Sequence, residues 1–137
     1  MWVLFALLSA VFAALTSILA KIGLNNIDSN LAVAIRTIIV LIMAWAIVFF
    51  TGKHHDITNL GQKNILFLTL SGIATGLSWL FYFRALQIGE ASKVIPIDKL
   101  SIVFGIIMAF VILKETITIK TIIGGILITI GTFVLIL

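Results

Sequence analysis

Apolar residues fill five long stretches of this chain, and most of the polar ones are gathered between them. The stretches run over 2–24, 31–50, 64–86, 91–113 and 118–137. At about 1.5 Å of rise per residue, a helix of roughly 20 residues matches the ~30 Å hydrocarbon core of a bilayer. The pattern predicts an all-α integral membrane protein with five transmembrane helices, in a single domain over residues 1–137. The first stretch has no basic segment before its apolar part and is long for the core of a signal peptide, so it is expected to be the first span.

Composition strengthens this reading: 62% of residues are hydrophobic and 10% charged, less than half the charge usual in a soluble domain. The net charge of +4 comes from lysines and arginines placed mostly where spans end. No basic stripe with interleaved aromatics accompanies it, so a nucleic-acid partner is not expected. Without cysteine, neither a disulfide framework nor a thiolate metal site is open to the chain. The polar connection 51–63 holds Lys53, His54, His55, Asp56 and Lys63. Adjacent histidines diverge on a helix and no further ligand is near, so a solvated loop is expected there and no metal site. No cofactor is implied. Serine, histidine and carboxylate residues occur, but none at the spacing of a nucleophile and its base, which argues against an enzyme.

Inside the spans, small and polar residues fall in patterns. Ala6, Ala10 and Ala14 recur every four residues in the first span, and Lys21 ends it either as a headgroup anchor or as a site residue. Asp28, Ser29 or Asn30 is placed to cap the second helix. Arg36 lies in the second turn of that helix. It either snorkels to the headgroups or faces inward; it cannot shed its charge by losing a proton, so facing inward it needs a carboxylate or an anionic ligand. The third span carries Gly72 and Gly76 at helix-packing spacing, then Trp79, Phe81, Tyr82 and Phe83. That aromatic group is either an interfacial belt or one wall of a substrate cavity, with Trp79 and Tyr82 as the binding candidates on the second reading. Glu90 and Lys93 stand one turn apart. Gly124, Gly125, Thr129, Gly131 and Thr132 suit the fifth span to close helix packing.

The fourth span holds the strongest functional signal. As one helix over 91–113 it is roughly 34 Å long, with Asp98 and Lys99 about two turns inside its leading end. An ionisable group there costs at least about 2.5 kcal/mol unless it faces a partner or water. Pro96, the single proline, removes a backbone hydrogen bond just before them, so a kink or a local opening is expected. Neighbours on a helix diverge by about 100°, so Asp98 and Lys99 are expected not to pair. Lys21, Arg36 or Arg84 is then the answering charge for Asp98.

An odd number of spans puts the two ends of the chain on opposite sides. Lys53, Lys63, Lys114 and Lys120 then stand on one side and Lys21, Arg84 and Lys93 on the other, so basic residues do not fix an orientation. Lys21, Arg36, Arg84, Lys93, Asp98 and Lys99 all gather at the end carrying the first and third connections. One copy would have a polar vestibule and a closed apolar floor. Two copies inserted oppositely would have a vestibule on each side, the inverted-repeat arrangement that alternating access requires.

The segments Leu86-Gln87-Ile88-Gly89-Glu90-Ala91-Ser92-Lys93-Val94-Ile95-Pro96-Ile97, Leu113-Lys114-Glu115-Thr116-Ile117-Thr118 and Gly124-Gly125-Ile126-Leu127-Ile128-Thr129-Ile130-Gly131 resemble the EamA domain of the drug/metabolite transporter superfamily. Lys21 and Arg36 fall where that domain also tends to carry basic residues. Most such proteins hold two domains in ten spans of inverted orientation, so the resemblance implies that this chain is one half, pairing with a second copy or a partner half. It also implies a prokaryotic inner membrane and secondary transport of a small metabolite, amino acid or drug-like solute. The related small multidrug resistance proteins use a glutamate in the first span. This chain has no carboxylate there, so cationic-drug antiport of that kind is not supported.

The preferred expectation is a secondary transporter with its site among spans one to four, formed by Lys21, Arg36, Trp79, Tyr82, Asp98 and Lys99. Three cations against one carboxylate favour a substrate with an anionic group, and Asp98 is the candidate proton relay. The alternatives are a flippase for a lipid-linked sugar and a non-transporting membrane subunit.

Overall fold

A computed structural model describes residues 2–137; Met1, at the head of the first apolar stretch, lies outside the described residues. The order is α1 (Trp2–Gly23), α2 (Ser29–Phe50), a 3-10 helix (Lys53–Asn59), α3 (Gln62–Ile88), α4 (Ala91–Asp98), α5 (Ser101–Leu113) and α6 (Ile119–Ile136). No strand occurs among the described residues. With α4 and α5 taken together as Ala91–Leu113, five helical segments are long and apolar enough to cross a membrane.

The outer surface is what a bilayer would require. Phe50, Phe81 and Ile119 are 92%, 75% and 76% exposed, whereas among the described residues the buried apolar side chains are only Leu24, Val33, Phe83 and Leu86. Several threonine hydroxyls within the spans bond inside their own helices: Thr37 donates to Val33 O at 2.7 Å, Thr69 to Ile65 O at 2.8 Å, and Thr129 to Gly125 O at 2.9 Å. In hydrocarbon no water would take those bonds.

The chain divides into two compact units, Leu19–Gln87 and the remainder, which takes α1 as far as Ile18 together with Ile88–Leu137. In the first, α1 gives way to a turn in which Asn26 adopts a left-handed conformation (φ 61°), tolerable for an asparagine. Asp28, extended, then starts α2: its Oδ1 accepts from the amides of Asn30 at 2.9 Å and Leu31 at 3.3 Å. Of the three capping candidates Asp28 supplies the cap. Gly52, also left-handed, turns the chain into the 3-10 helix, which packs on the end of α2.

That 3-10 helix corrects the expectation of a plain solvated loop. Its tighter turn brings the His54 and His55 rings to 3.9 Å between centroids, with His54 also 5.4 Å from Phe49. The Nδ1 of His54 is buried without a hydrogen-bond partner. No group of three or more metal-ligating side chains is found among the described residues.

In the second unit α6 lies against both α4 and α5. Thr118 caps α6 by accepting from the Thr121 amide at 3.2 Å. Pro96 sits inside α4, which ends two residues later at Asp98; Lys99 and Leu100 form a turn before α5 resumes. Buried Thr132 of α6 donates to Pro96 O at 3.4 Å. Glu90 and Lys93 do not form an ion pair.

Candidate functional site

Arg36 is the most informative side chain. It lies in the span formed by α2, half-buried, with its guanidinium carbon 4.2 Å from the centroid of the Trp79 ring and 5.3 Å from that of Phe83. Trp79 and Phe83 are four residues apart on α3, hence on one face of it. Phe83 is 2% exposed, and Tyr82 meets it edge-on at 6.3 Å. A cation over aromatic faces gains about 0.5–2 kcal/mol, more as it is more fully desolvated. The two rings thus offset part of the cost of an arginine within a span without any carboxylate. Among the described residues no carboxylate lies within ion-pair distance of Arg36 and no protein acceptor takes a hydrogen bond from it.

The same unit holds a polar corner where α1, the first connection and α3 meet. Lys21 Nζ donates to Leu86 O at 2.5 Å. Leu86 is two residues from the end of α3, so its carbonyl is one of the four that a helix leaves unbonded at that end. Lys21 therefore caps α3 and places positive charge at the negative end of its dipole. Arg84 donates to Gln87 Oε1 at 2.7 Å, and Gln87 Nε2 donates to Ile27 O at 2.8 Å, tying α3 to the first connection. Two recesses open here. One of about 550 Å³ is lined by Lys21, Ile22, Leu24, Asn25, Asn26 and Gln87, and one of about 430 Å³ by Asp28, Ser29, Asn30, Leu80, Phe81 and Arg84.

Asp98 and Lys99 belong to the other unit, and here a sequence expectation is corrected. The two do pair, with Lys99 Nζ 3.3 Å from Asp98 Oδ2. Lys99, the C-terminal cap of α4, keeps a right-handed helical backbone, so the two side chains still leave in diverging directions, and it is the length and flexibility of the lysine that carries its Nζ back to Asp98. Their side chains are 35% and 48% exposed for Asp98 and Lys99 respectively. Lys99 is thus answered locally, and Arg36 remains as the membrane-depth cation without an anion. A separate recess of about 320 Å³ between α5 and α6 is almost wholly apolar, with Val103, Ile107, Gly125 and Ile130 among its walls.

Sequence reasoning brought Arg36, Trp79 and Tyr82 forward separately and missed Phe83 as the second ring under the cation, as well as Gln87 as the tie to the first connection. The four-residue spacing of Trp79 and Phe83, facing an arginine one span earlier, was the signal that could have joined them.

The profile of the EamA-like transporter family matches residues 1–137, the whole chain. The chain belongs to that family. A Sinorhizobium protein described as an uncharacterized transporter in the cobO 3' region is 45% identical over 134 residues, covering 98% of this chain and 95% of its own. An uncharacterized protein of Methanocaldococcus jannaschii is 30% identical over 83 residues, 61% of each chain. No solved structure matches. This EamA-like protein is accordingly a multi-pass integral membrane protein of the drug/metabolite transporter type, and its five spans are those of one half of a ten-span EamA transporter.

Proposed function

We propose that this EamA-like chain is a secondary transporter of a small metabolite, amino acid or drug-like solute, working by alternating access as an antiparallel homodimer in a prokaryotic inner membrane. The observation that carries the reading is Arg36: a charge within a span, held over Trp79 and Phe83 and unmatched by any anion among the described residues. A purely structural arginine at that depth would be expected to end on a carboxylate or in the headgroups.

On this reading Arg36, Trp79 and Tyr82 touch the solute, Lys21 stands at the mouth of the polar corner, and Asp98 with Lys99 forms the proton-coupling pair beside the Pro96 turn. The polar groups gather toward one end of the spans, so two oppositely inserted copies supply a mouth on each side. Purified protein in liposomes tests this. A proton gradient should drive accumulation of solutes from an amino-acid and metabolite mixture, identified by mass spectrometry of the vesicle contents. Vesicles that contain the folded protein yet accumulate no more than protein-free ones would overturn it.

A further inference from the structure

The Arg36 guanidinium is held over two aromatic rings and, among the described residues, bonded to no protein acceptor. Its carbon lies 4.2 Å from the Trp79 ring centroid and 5.3 Å from that of Phe83. The five N–H groups point outward in the guanidinium plane, and no protein acceptor among the described residues takes them. Stacking satisfies the charge but none of the hydrogen bonds. A planar cation held by rings, with its N–H groups untaken, fits a planar anion that accepts two parallel bonds, which is the geometry of a carboxylate.

We infer that Arg36 binds the carboxylate of the transported solute side-on, with Trp79 and Phe83 holding the guanidinium in the plane that this requires. The inference rests on the transport reading and narrows its substrate class to carboxylate-bearing solutes. Lys21 and Arg84 do not compete for the role, since each spends a donor on a protein carbonyl or amide oxygen. Lys99 faces Asp98. The rings beneath Arg36 also place an apolar surface next to the anion site, suited to a carboxylate carried on an apolar or aromatic body. A lipid phosphate is the other source of an oxyanion at this depth, and its tetrahedral shape separates it from the ligand inferred here.

The three tryptophans make the test direct. Trp2→Phe with Trp45→Phe leaves Trp79 as the single tryptophan, directly beneath the cation. In neutral detergent, sodium benzoate should change its emission saturably, while benzamide, which has the same shape without the charge, should bind at least tenfold more weakly. Arg36→Gln should abolish the benzoate response. Arg36→Lys, which keeps the charge but not the fork, should weaken it about tenfold, with unchanged thermal unfolding as the folding control. Equal responses to benzoate and benzamide, no response to benzoate, or a response that survives Arg36→Gln would each overturn the inference. So would inorganic phosphate, or phosphatidylglycerol in nanodiscs, displacing benzoate more strongly than acetate does. Benzoate binding without proteoliposome flux would retain this site and remove the transport reading. Flux of solutes lacking a carboxylate, undisturbed by Arg36→Gln, would do the reverse.

Discussion

Lys21 and Asp98 illustrate how the same kind of residue, a charge within an apolar helix, is handled in two ways. Lys21 is engaged by the last turn of α3, whose Leu86 carbonyl it bonds. Lys21→Met would leave that carbonyl without this donor beside a fully buried side chain. The expected loss is about 1–3 kcal/mol of stability, read as a lower unfolding temperature in detergent; an unchanged temperature would show that the contact is incidental. Asp98 instead keeps a third of its side chain accessible and pairs with Lys99. Asp98→Asn should leave the protein folded while removing proton-driven accumulation in liposomes; normal gradient-driven uptake by that variant would take Asp98 out of the coupling. The sequence made these residues visible by type and depth. It did not reveal their partners, because a lysine with four rotatable bonds reaches groups that helical spacing alone does not assign.

Among the helices, hydrophobic length was legible and local irregularity was not. Five spans follow from runs of apolar residues long enough to cross a bilayer. Pro96 announced a disturbance in the fourth. The break itself falls at Lys99 and Leu100, where the 3-10 bonds from Lys99 to Pro96 O at 3.1 Å and from Leu100 to Ile97 O at 3.0 Å tighten the last turn of α4. The 3-10 helix at Lys53–Asn59 was equally hidden, since six polar residues around a single Ile57 carry no periodicity. Gly72 and Gly76 stand at helix-packing spacing, and within their own unit nothing lies within 4 Å of where a Cβ would stand. Gly72→Ala should therefore be neutral or stabilising by up to about 1 kcal/mol through helix propensity. Measured by thermal unfolding of the purified protein, a loss larger than that would place another helix against this face.

The chain as a whole has five spans, consistent with half of an EamA transporter, and the proposed function needs a second copy to complete it. Family membership was legible in the motifs from Leu86 to Gly131, and the full-length match extends it to the first spans. The arrangement around Arg36 was less legible, because it depends on two helices meeting at a register that no single segment encodes. If one gene product supplies both halves, copies must insert in both directions, as the even division of basic residues between the two sides allows. The absence of cysteine permits a clean measurement: a single cysteine at Asn26 in the first connection, or at His55 in the second, probed in intact cells with a membrane-impermeant maleimide. Two inserted orientations predict that each position is labelled from outside in part of the molecules and from inside in the rest, in comparable shares. Labelling of each position from one side only, in all molecules, would contradict the antiparallel homodimer.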